Sequence, residues 1–477
     1  MQGLMVTKRI ALIFLIMIVL LSTEVGFAQQ ISPAGPVYIV QPGDTLWNIA
    51  QRFRVSINDI TKINNLSNPN QLTEGMQIII PGLEGIEGTL TTLDIPYGET
   101  LLSLSRRYRI PVAMIARLNH MTSPMELYAG STLVIPVSDN SSPGFSRVSL
   151  DQAQSLLELA VLHNQNPWKL LLDNQLGSSA EAIPGDVLLI AGGSRQMVSA
   201  LPVEITSVAI NPSFPLQGKT TVIKIETQSQ DELTFSGSFL GHELHFFSNG
   251  NGEYVSLQGV HAMTEPGIYP LQIRILKIDG SKFDFSQMVN VRPVNYPYDR
   301  PLTVDPATID PAVTKPEEEE WLALASTFTP DKMWDKPFQI PSPLPKDYCL
   351  ETGDCWSSRF GNRRSYNGSA YTYFHAGLDV FGGTGTEIYA PAPGIVVFTG
   401  PLTIRGNATL INHGWGVFSG YLHQSEILVK VGDRVEAGQL IGLVGGTGRV
   451  EGPHLHWEML VGGVQVDPLD WLTQVFP

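Results

Sequence analysis

The sequence predicts a multidomain α+β chain: small strand–helix–helix–strand repeats, then a β-sandwich, then a mostly antiparallel β domain. Three observations predict it. A pattern recurs at a spacing of 55 residues within positions 37–192. Residues 201–293 alternate apolar and polar side chains at the period of half-buried strands. Beyond residue 341, apolar runs such as Leu455 to Val461 follow turn signals such as Gly452-Pro453. At 477 residues the chain is too long for one core and divides into several domains.

Residues 1–28 read as an export signal. Lys8 and Arg9 form a basic start, Ile10 to Leu21 is almost wholly apolar, and Gly26-Phe27-Ala28 offers small residues for cleavage. The apolar stretch is short of the ~20 residues a membrane span needs, so no stable span is expected after cleavage. No cysteine lies near the cleavage site, which argues against a lipid anchor. The expected location is outside the cytoplasmic membrane, secreted or in the cell envelope. Lys plus Arg number 30 against 45 Asp plus Glu, a net charge of −15. That balance argues against nucleic acid as a partner. It argues equally against electrostatic adhesion to an anionic surface, so any such binding needs specific contacts.

The repeat supplies candidates for those contacts. Val40-Gln-Pro-Gly43-Asp44-Thr45-Leu46-Trp47 opens a unit that passes Asn64 and closes at Gly75-Met-Gln-Ile-Ile-Ile-Pro81. The second unit runs Pro96-Tyr-Gly98-Glu99-Thr100-Leu101, Asn119, then Gly130-Ser-Thr-Leu-Val-Ile-Pro136. A worn third keeps Asn174 and Pro184-Gly-Asp-Val-Leu-Leu-Ile, but Ala153 stands where Gly43 and Gly98 stood. Fixed-period self-similarity marks an array of small modules. Leu46, Ile49, Ala50 and Phe53 fall at helical spacing after a short opening strand. The expected units are 37–82, 92–137 and 147–192.

In residues 201–293, Leu233-Phe235-Gly237-Phe239 and Leu271-Ile273-Ile275 alternate, and Asn249-Gly, Pro266-Gly267 and Asp279-Gly280 separate the runs. Seven or so short strands at this spacing predict an immunoglobulin-like sandwich. Gly241-His-Glu-Leu-His245 is one residue short of the helical His-Glu-x-x-His zinc motif and lies in strand-like alternation, so it is read as non-metal. Residues 294–340, proline-rich with an acidic helix start at Glu317 to Glu320, read as a linker.

The C-terminal domain, 341–477, carries the chemistry. His375 and Asp379 stand in His-Ala-Gly-Leu-Asp, and His454 and His456 in Gly-Pro-His-Leu-His-Trp-Glu. Imidazole and carboxylate are the ligands of a catalytic zinc ion, typically three protein groups with one position open. Side chains at i and i+2 of a strand share a face, so His454 and His456 look into one cleft. His423 is expected there too, sharing a face with Tyr421, whereas His413 in Ile-Asn-His-Gly-Trp-Gly looks like a turn residue and is assigned no chemistry. Cys349 and Cys355, an even pair at short spacing in an exported protein, are expected to form a disulfide clamp. A metal role is the alternative, but the spacing lacks the Cys-x-x-Cys form.

His375-x-x-x-Asp379, Tyr421-x-His423 and Gly452-Pro-His454-x-His456, in that order, resemble the signature of the lysostaphin-type zinc endopeptidases, which cut peptide bonds in bacterial cell walls. Ser358-Arg-Phe-Gly-Asn-Arg and Val431-Gly-Asp-Arg-Val-Glu-Ala-Gly-Gln-Leu-Ile-Gly are similar to that family as well. The resemblance implies that His375, Asp379 and His456 bind Zn²⁺ and that His423 and His454 serve catalysis. Some members add a tyrosine ahead of the first ligand, for which Tyr371 and Tyr373 are candidates. The first two repeats resemble LysM modules, which bind the glycans of peptidoglycan and chitin. That implies glycan contacts at Gly43, Asp44, Thr45, Leu46 and Asn64, and at Gly98, Glu99, Thr100 and Leu101. The chain thus reads as an exported zinc endopeptidase with the peptide part of peptidoglycan as substrate and its glycan as LysM ligand. Scaffold proteins of the same fold have lost site residues; this chain has all five.

Overall fold

A computed structural model describes residues 35–477 apart from 69–71, 84, 87, 138–143, 152–153, 193–199, 230–232 and 345–354. The export signal at 1–28 therefore lies outside the described residues. No helix among the described residues is long and apolar enough to cross a membrane. The described residues divide into two compact units, one within 35–92 and 134–137, the other within 93–133 and 144–477.

In the first unit, strand Val37–Ile39 pairs antiparallel with Gln77–Ile79 around helices Leu46–Phe53 and Ile57–Ile63. The first helix starts where it does because Thr45 caps it, accepting from the Asn48 amide while the Asn48 side chain answers the Thr45 N–H. It ends at Arg54 in a left-handed cap, and Leu46, Ile49, Ala50 and Phe53 are buried. Asn64 then ties the module shut: its Oδ1 accepts from Ile79 N at 2.6 Å and its Nδ2 donates to Ile79 O at 2.8 Å.

In the second unit, helices Leu101–Tyr108 and Val112–Leu118 belong to the second repeat, and Leu156–Leu162 and Pro167–Asp173 to the third. Asn174 repeats the Asn64 clamp, bonding Leu189 N at 2.7 Å and Leu189 O at 2.8 Å. The same unit contains two further sheets. One orders His242–His245, Thr234–Phe239, Gly267–Leu276 and Lys282–Val291 antiparallel, with Tyr128–Ala129 added parallel at its edge; the other is antiparallel, Phe247–Gly250, Glu253–Gly259, Thr220–Thr227 and Ile205–Asn211. Ile223 and Ile225 of one and Phe235, Ile273, Ile275 and Val289 of the other share a single core. His242 to His245 is a strand, as its alternation predicts.

The C-terminal sheet is antiparallel throughout, in the order Trp356–Ser358, Leu378–Phe381, His454–Val461, Val417–Ile427, Gly406–Gly414, Gly394–Leu402 and Arg434–Val435. Its core takes in Val222, Val255 and Leu257 from the neighbouring sheet. It also takes Trp334 and Phe338 from the expected linker. That segment is not an open spacer. A helix runs Pro311–Ala325, beginning before the acidic run because Asp310 caps it and Pro311 suits the first helical position. Pro316 lies inside it, and Glu317, Trp321 and Ala325 are buried. Tertiary packing of Trp321 on the sheet overrides the proline signal that reads as linker.

Gly420 makes room for that packing, since a Cβ there would lie 2.6 Å from Trp321 Cζ2. Gly420→Ala is expected to destabilise the full chain by about 1–3 kcal/mol through overpacking. Gly383, where a Cβ meets nothing within 4 Å, should tolerate alanine within ~0.5 kcal/mol. Urea unfolding of both variants checks the pair.

Candidate metal centre

The central pairing of the C-terminal sheet aligns Leu378 with Trp457, Asp379 with His456 and Phe381 with His454. Paired residues share a face, so burying Leu378 and Trp457 in the core turns Asp379, His454 and His456 to the opposite side. His375 arrives from the loop after Tyr373–Phe374, held by His375 N to Asn362 O at 2.9 Å and Gly361 N to His375 O at 2.8 Å.

Three atoms converge there. His375 Nε2 lies 2.9 Å from Asp379 Oδ1 and 2.9 Å from His456 Nδ1, and His456 Nδ1 lies 2.8 Å from Asp379 Oδ1. All three residues are buried, and they are the group able to hold a metal ion among the described residues. The outer atoms fix the tautomers. His375 Nδ1 donates to the Arg359 carbonyl at 2.9 Å, and His456 Nε2 donates to Glu458 Oε1 at 3.3 Å. Both inner nitrogens are then bare, and they face a carboxylate oxygen. Three acceptor atoms aimed at one buried point need positive charge between them, a proton or a metal ion, and this is the donor set and arrangement zinc takes.

The electrostatics agree. Burial, with the Arg364 guanidinium, pushes His375 down to about 4, so it is neutral near pH 7. Burial would raise Asp379, but the two imidazoles outweigh it and hold its carboxyl well below the usual range. Burial would likewise lower His456, yet Asp379 and Glu458 hold it above its ordinary value. The two carboxylates make this a place for positive charge.

His423 and His454 complete one wall, their rings 5.0 Å apart. His423 Nδ1 donates to Thr447 O at 2.8 Å and His454 Nδ1 to Gly452 O at 2.8 Å. Each therefore leaves its Nε2 free for the cleft, and His454 Nε2 is 3.6 Å from Asp379 Oδ1. Burial and the neighbouring imidazoles drive His423 well below its ordinary pKa, so it is neutral. The route by which His423 arrives differs from the expected one. Tyr421 pairs with Trp457 and points into the core, while Leu422 pairs with His456. Strict alternation would bury His423 beside Tyr421. A left-handed backbone at His423, φ 65°, swings it to the cleft instead.

The cleft, about 970 Å³, is lined by these residues and by Arg364, Tyr373 and Arg449. Tyr371 ties its hydroxyl to Asp299 O at 2.9 Å, whereas Tyr373 faces the cleft. His413 is a buried strand residue rather than a turn, bonded to Pro393 O and Ser419 Oγ, both at 2.7 Å. Arg364 and Glu458 were not singled out from sequence. Glu458 had a signal: two residues beyond His456, it falls on the same strand face.

Residues 373–468 match Peptidase family M23, and residues 38–81 and 96–136 match the LysM domain. The C-terminal part of the chain is an M23 peptidase domain. Among relatives of that domain, the peptidoglycan DD-endopeptidase ShyC of Vibrio cholerae is 42% identical over 112 residues, covering 24% of this chain and 26% of its own. Its ShyA counterpart is 43% identical over 113 residues, with the same coverage of each chain. The DD-carboxypeptidase/endopeptidase Mpg of Neisseria meningitidis is 41% identical over 95 residues, 20% of this chain and 22% of the relative. The chain thus spans about a quarter of the length of the curated relatives it matches.

The LysM residues separate into two environments. In the first module Gly43 and Thr45 are exposed, Asp44 accepts from Tyr38 Oη at 2.6 Å, and Leu46 is buried. Asn64 has its amide committed to the backbone, which leaves little of it for a ligand. In the second module Gly98 and Glu99 do not line an open groove. Gly98 N donates to Gln287 Oε1 at 2.7 Å, a Cβ on Gly98 would meet Leu201 at 2.5 Å, and Glu99 is 1% exposed. Leu101 is buried and Thr100 caps its helix. The adjoining sheet, with Met288 and Val289 paired to Tyr128 and Ala129, covers that face. Cys349 lies outside the described residues, so its pairing with Cys355 stands as a proposal.

The two histidines of the 454–456 strand should separate on replacement. His456→Ala removes one of the converging atoms and is expected to abolish stoichiometric zinc. His454→Ala should keep the metal. Metal analysis of both purified proteins decides the matter.

Proposed function

We propose that this protein is an exported, zinc-dependent endopeptidase that hydrolyses peptide bonds of bacterial peptidoglycan and is held on the wall by LysM modules. The observation that carries this is the convergence of three buried lone pairs beside two imidazoles whose Nε2 atoms face the same cleft. The M23 match and the DD-endopeptidase relatives support it. His375, Asp379 and His456 hold the metal in this reading. When bound, zinc supplies Lewis acidity that polarises a carbonyl and makes a water molecule acidic near neutral pH. His423 and His454 do the rest. With Nδ1 of each fixed on a backbone carbonyl, each Nε2 is positioned to take a proton, or once protonated to give one to the leaving amine or the developing oxyanion. Arg364 engages Asp379 Oδ2 at 3.3 Å, keeping the other carboxylate oxygen for the metal.

Exposed Gly43 and Thr45 make the first module our candidate for glycan attachment, while the second and third serve as spacers. The two-sheet unit, which we read as immunoglobulin-like, supports the peptidase domain through Val222, Val255 and Leu257. Attachment raises the local concentration of substrate without new catalytic contacts.

Incubating the purified protein with isolated sacculi should release fragments bearing new amino termini, and mass analysis names the bond. A chelator should stop the release and added zinc restore it; release from a metal-free preparation would refute the assignment. His454→Ala and His423→Ala should each lower turnover by about 10²–10⁴-fold with zinc retained. Deleting residues 35–82 should reduce degradation of intact walls far more than of soluble fragments. An equal loss on both would remove the tethering role.

A further inference from the structure

The groups that hold the three metal-site residues do not all come from the domain that bears them. Glu458 Oε1 faces His456 Nε2, and its Oε2 accepts from the Trp321 indole N–H at 2.8 Å. Trp321 is 1% exposed. Arg405 lies over its ring, with Cζ 4.9 Å from the centroid, and pairs with Glu317 at 3.4 Å. The Glu317 carboxylate also accepts from the amides of Ile404 and Arg405, at 2.9 and 3.1 Å. On the other side, Arg364 donates to Asp379 Oδ2 and is itself held by Asp299 at 3.4 Å. Asp299 fixes Asn362 as well, at 2.7 Å, and the backbone of Asn362 bonds that of His375. Asp299, Glu317 and Trp321 all precede the residues that match the peptidase family, which begin at 373.

We infer that the segment 297–325, which reads as a linker in sequence, is a built-in support of the metal centre. Trp321 acts as a positioning residue on His456 through Glu458, and Asp299 on Asp379 and His375 through Arg364 and Asn362. The physical reason is directional. A carboxylate free to rotate can present either oxygen to His456, or neither. An indole N–H fixed on Oε2 leaves Oε1 toward the imidazole and so sets which way the bare Nδ1 points. Asp299 does the same for the Arg364 guanidinium. Partners of this kind typically affect metal affinity by about 10–100-fold. The inference rests on the zinc site proposed above.

The test is zinc affinity of the full chain by competition with a chromophoric chelator, together with the absorption spectrum of the cobalt-loaded protein. Trp321→Phe keeps the ring packing and removes only the N–H; we expect affinity to fall about 10-fold and the cobalt bands to shift. Trp334→Phe is the control. It is another buried indole of the same region, bonded to Phe476 O at 3.0 Å with no link to a metal-site residue, and its affinity should match the unmodified chain. Equal weakening in both would mean general loosening and would overturn the inference, as would an unchanged Trp321→Phe. If Trp321→Phe does not fold, Asp299→Asn decides by the same measurement: about 10-fold weaker binding upholds the support, and unchanged binding overturns it. Failure of the unmodified chain to bind zinc would instead defeat the functional reading itself.

Discussion

Repulsion among three acceptor atoms governs the C-terminal domain. Two imidazole nitrogens and a carboxylate oxygen lie within 3 Å of one another in a buried pocket, a placement that costs free energy without a compensating positive charge. The surroundings are built to enforce it. The Arg359 carbonyl and Glu458 fix the outer nitrogens, Arg364 occupies the second oxygen of Asp379, and the register of the central strands leaves no freedom to separate the groups. A sheet that only needed to fold would not hold its histidines this way.

How much of this was legible in the chain differs from residue to residue. His375, Asp379 and His456 were legible because their spacing and order are carried by local motifs, and i, i+2 alternation holds along the 454–461 strand. The alternation in 201–293 foretold two sheets for the same reason. His423 reaches the cleft by a route that alternation does not predict, since nothing in Gly-Tyr-Leu-His announces a left-handed residue. The helix at 311–325 was only partly legible: the acidic run announced a start at Glu317, while Pro316 masked the turns before it. Its stability comes from Trp321 and Glu317 reaching residues more than eighty positions away, and no local window sees such a contact. Arg364 was illegible on the same ground: its partners come from separate parts of the chain.

The repeats teach a related lesson. A recurring asparagine invites a binding role, yet Asn64 and Asn174 close their modules by bonding both backbone groups of one residue on the last strand. Recurrence here reflects what each small unit needs in order to fold. The second repeat keeps the pattern of the first while its Gly98 edge is covered by the adjoining sheet. Similar sequences have thus come to differ in what they leave open to solvent, a difference set by neighbours and invisible within the repeat.

The left-handed torsion at His423 has a consequence of its own. For a residue with a Cβ, such a conformation costs of the order of 1–3 kcal/mol, and glycine or asparagine would occupy it with less strain. The position is therefore one where resilience and chemistry pull against each other. Directed evolution for heat tolerance alone would drift away from histidine here, and a thermostable descendant with a silent cleft would be its natural product.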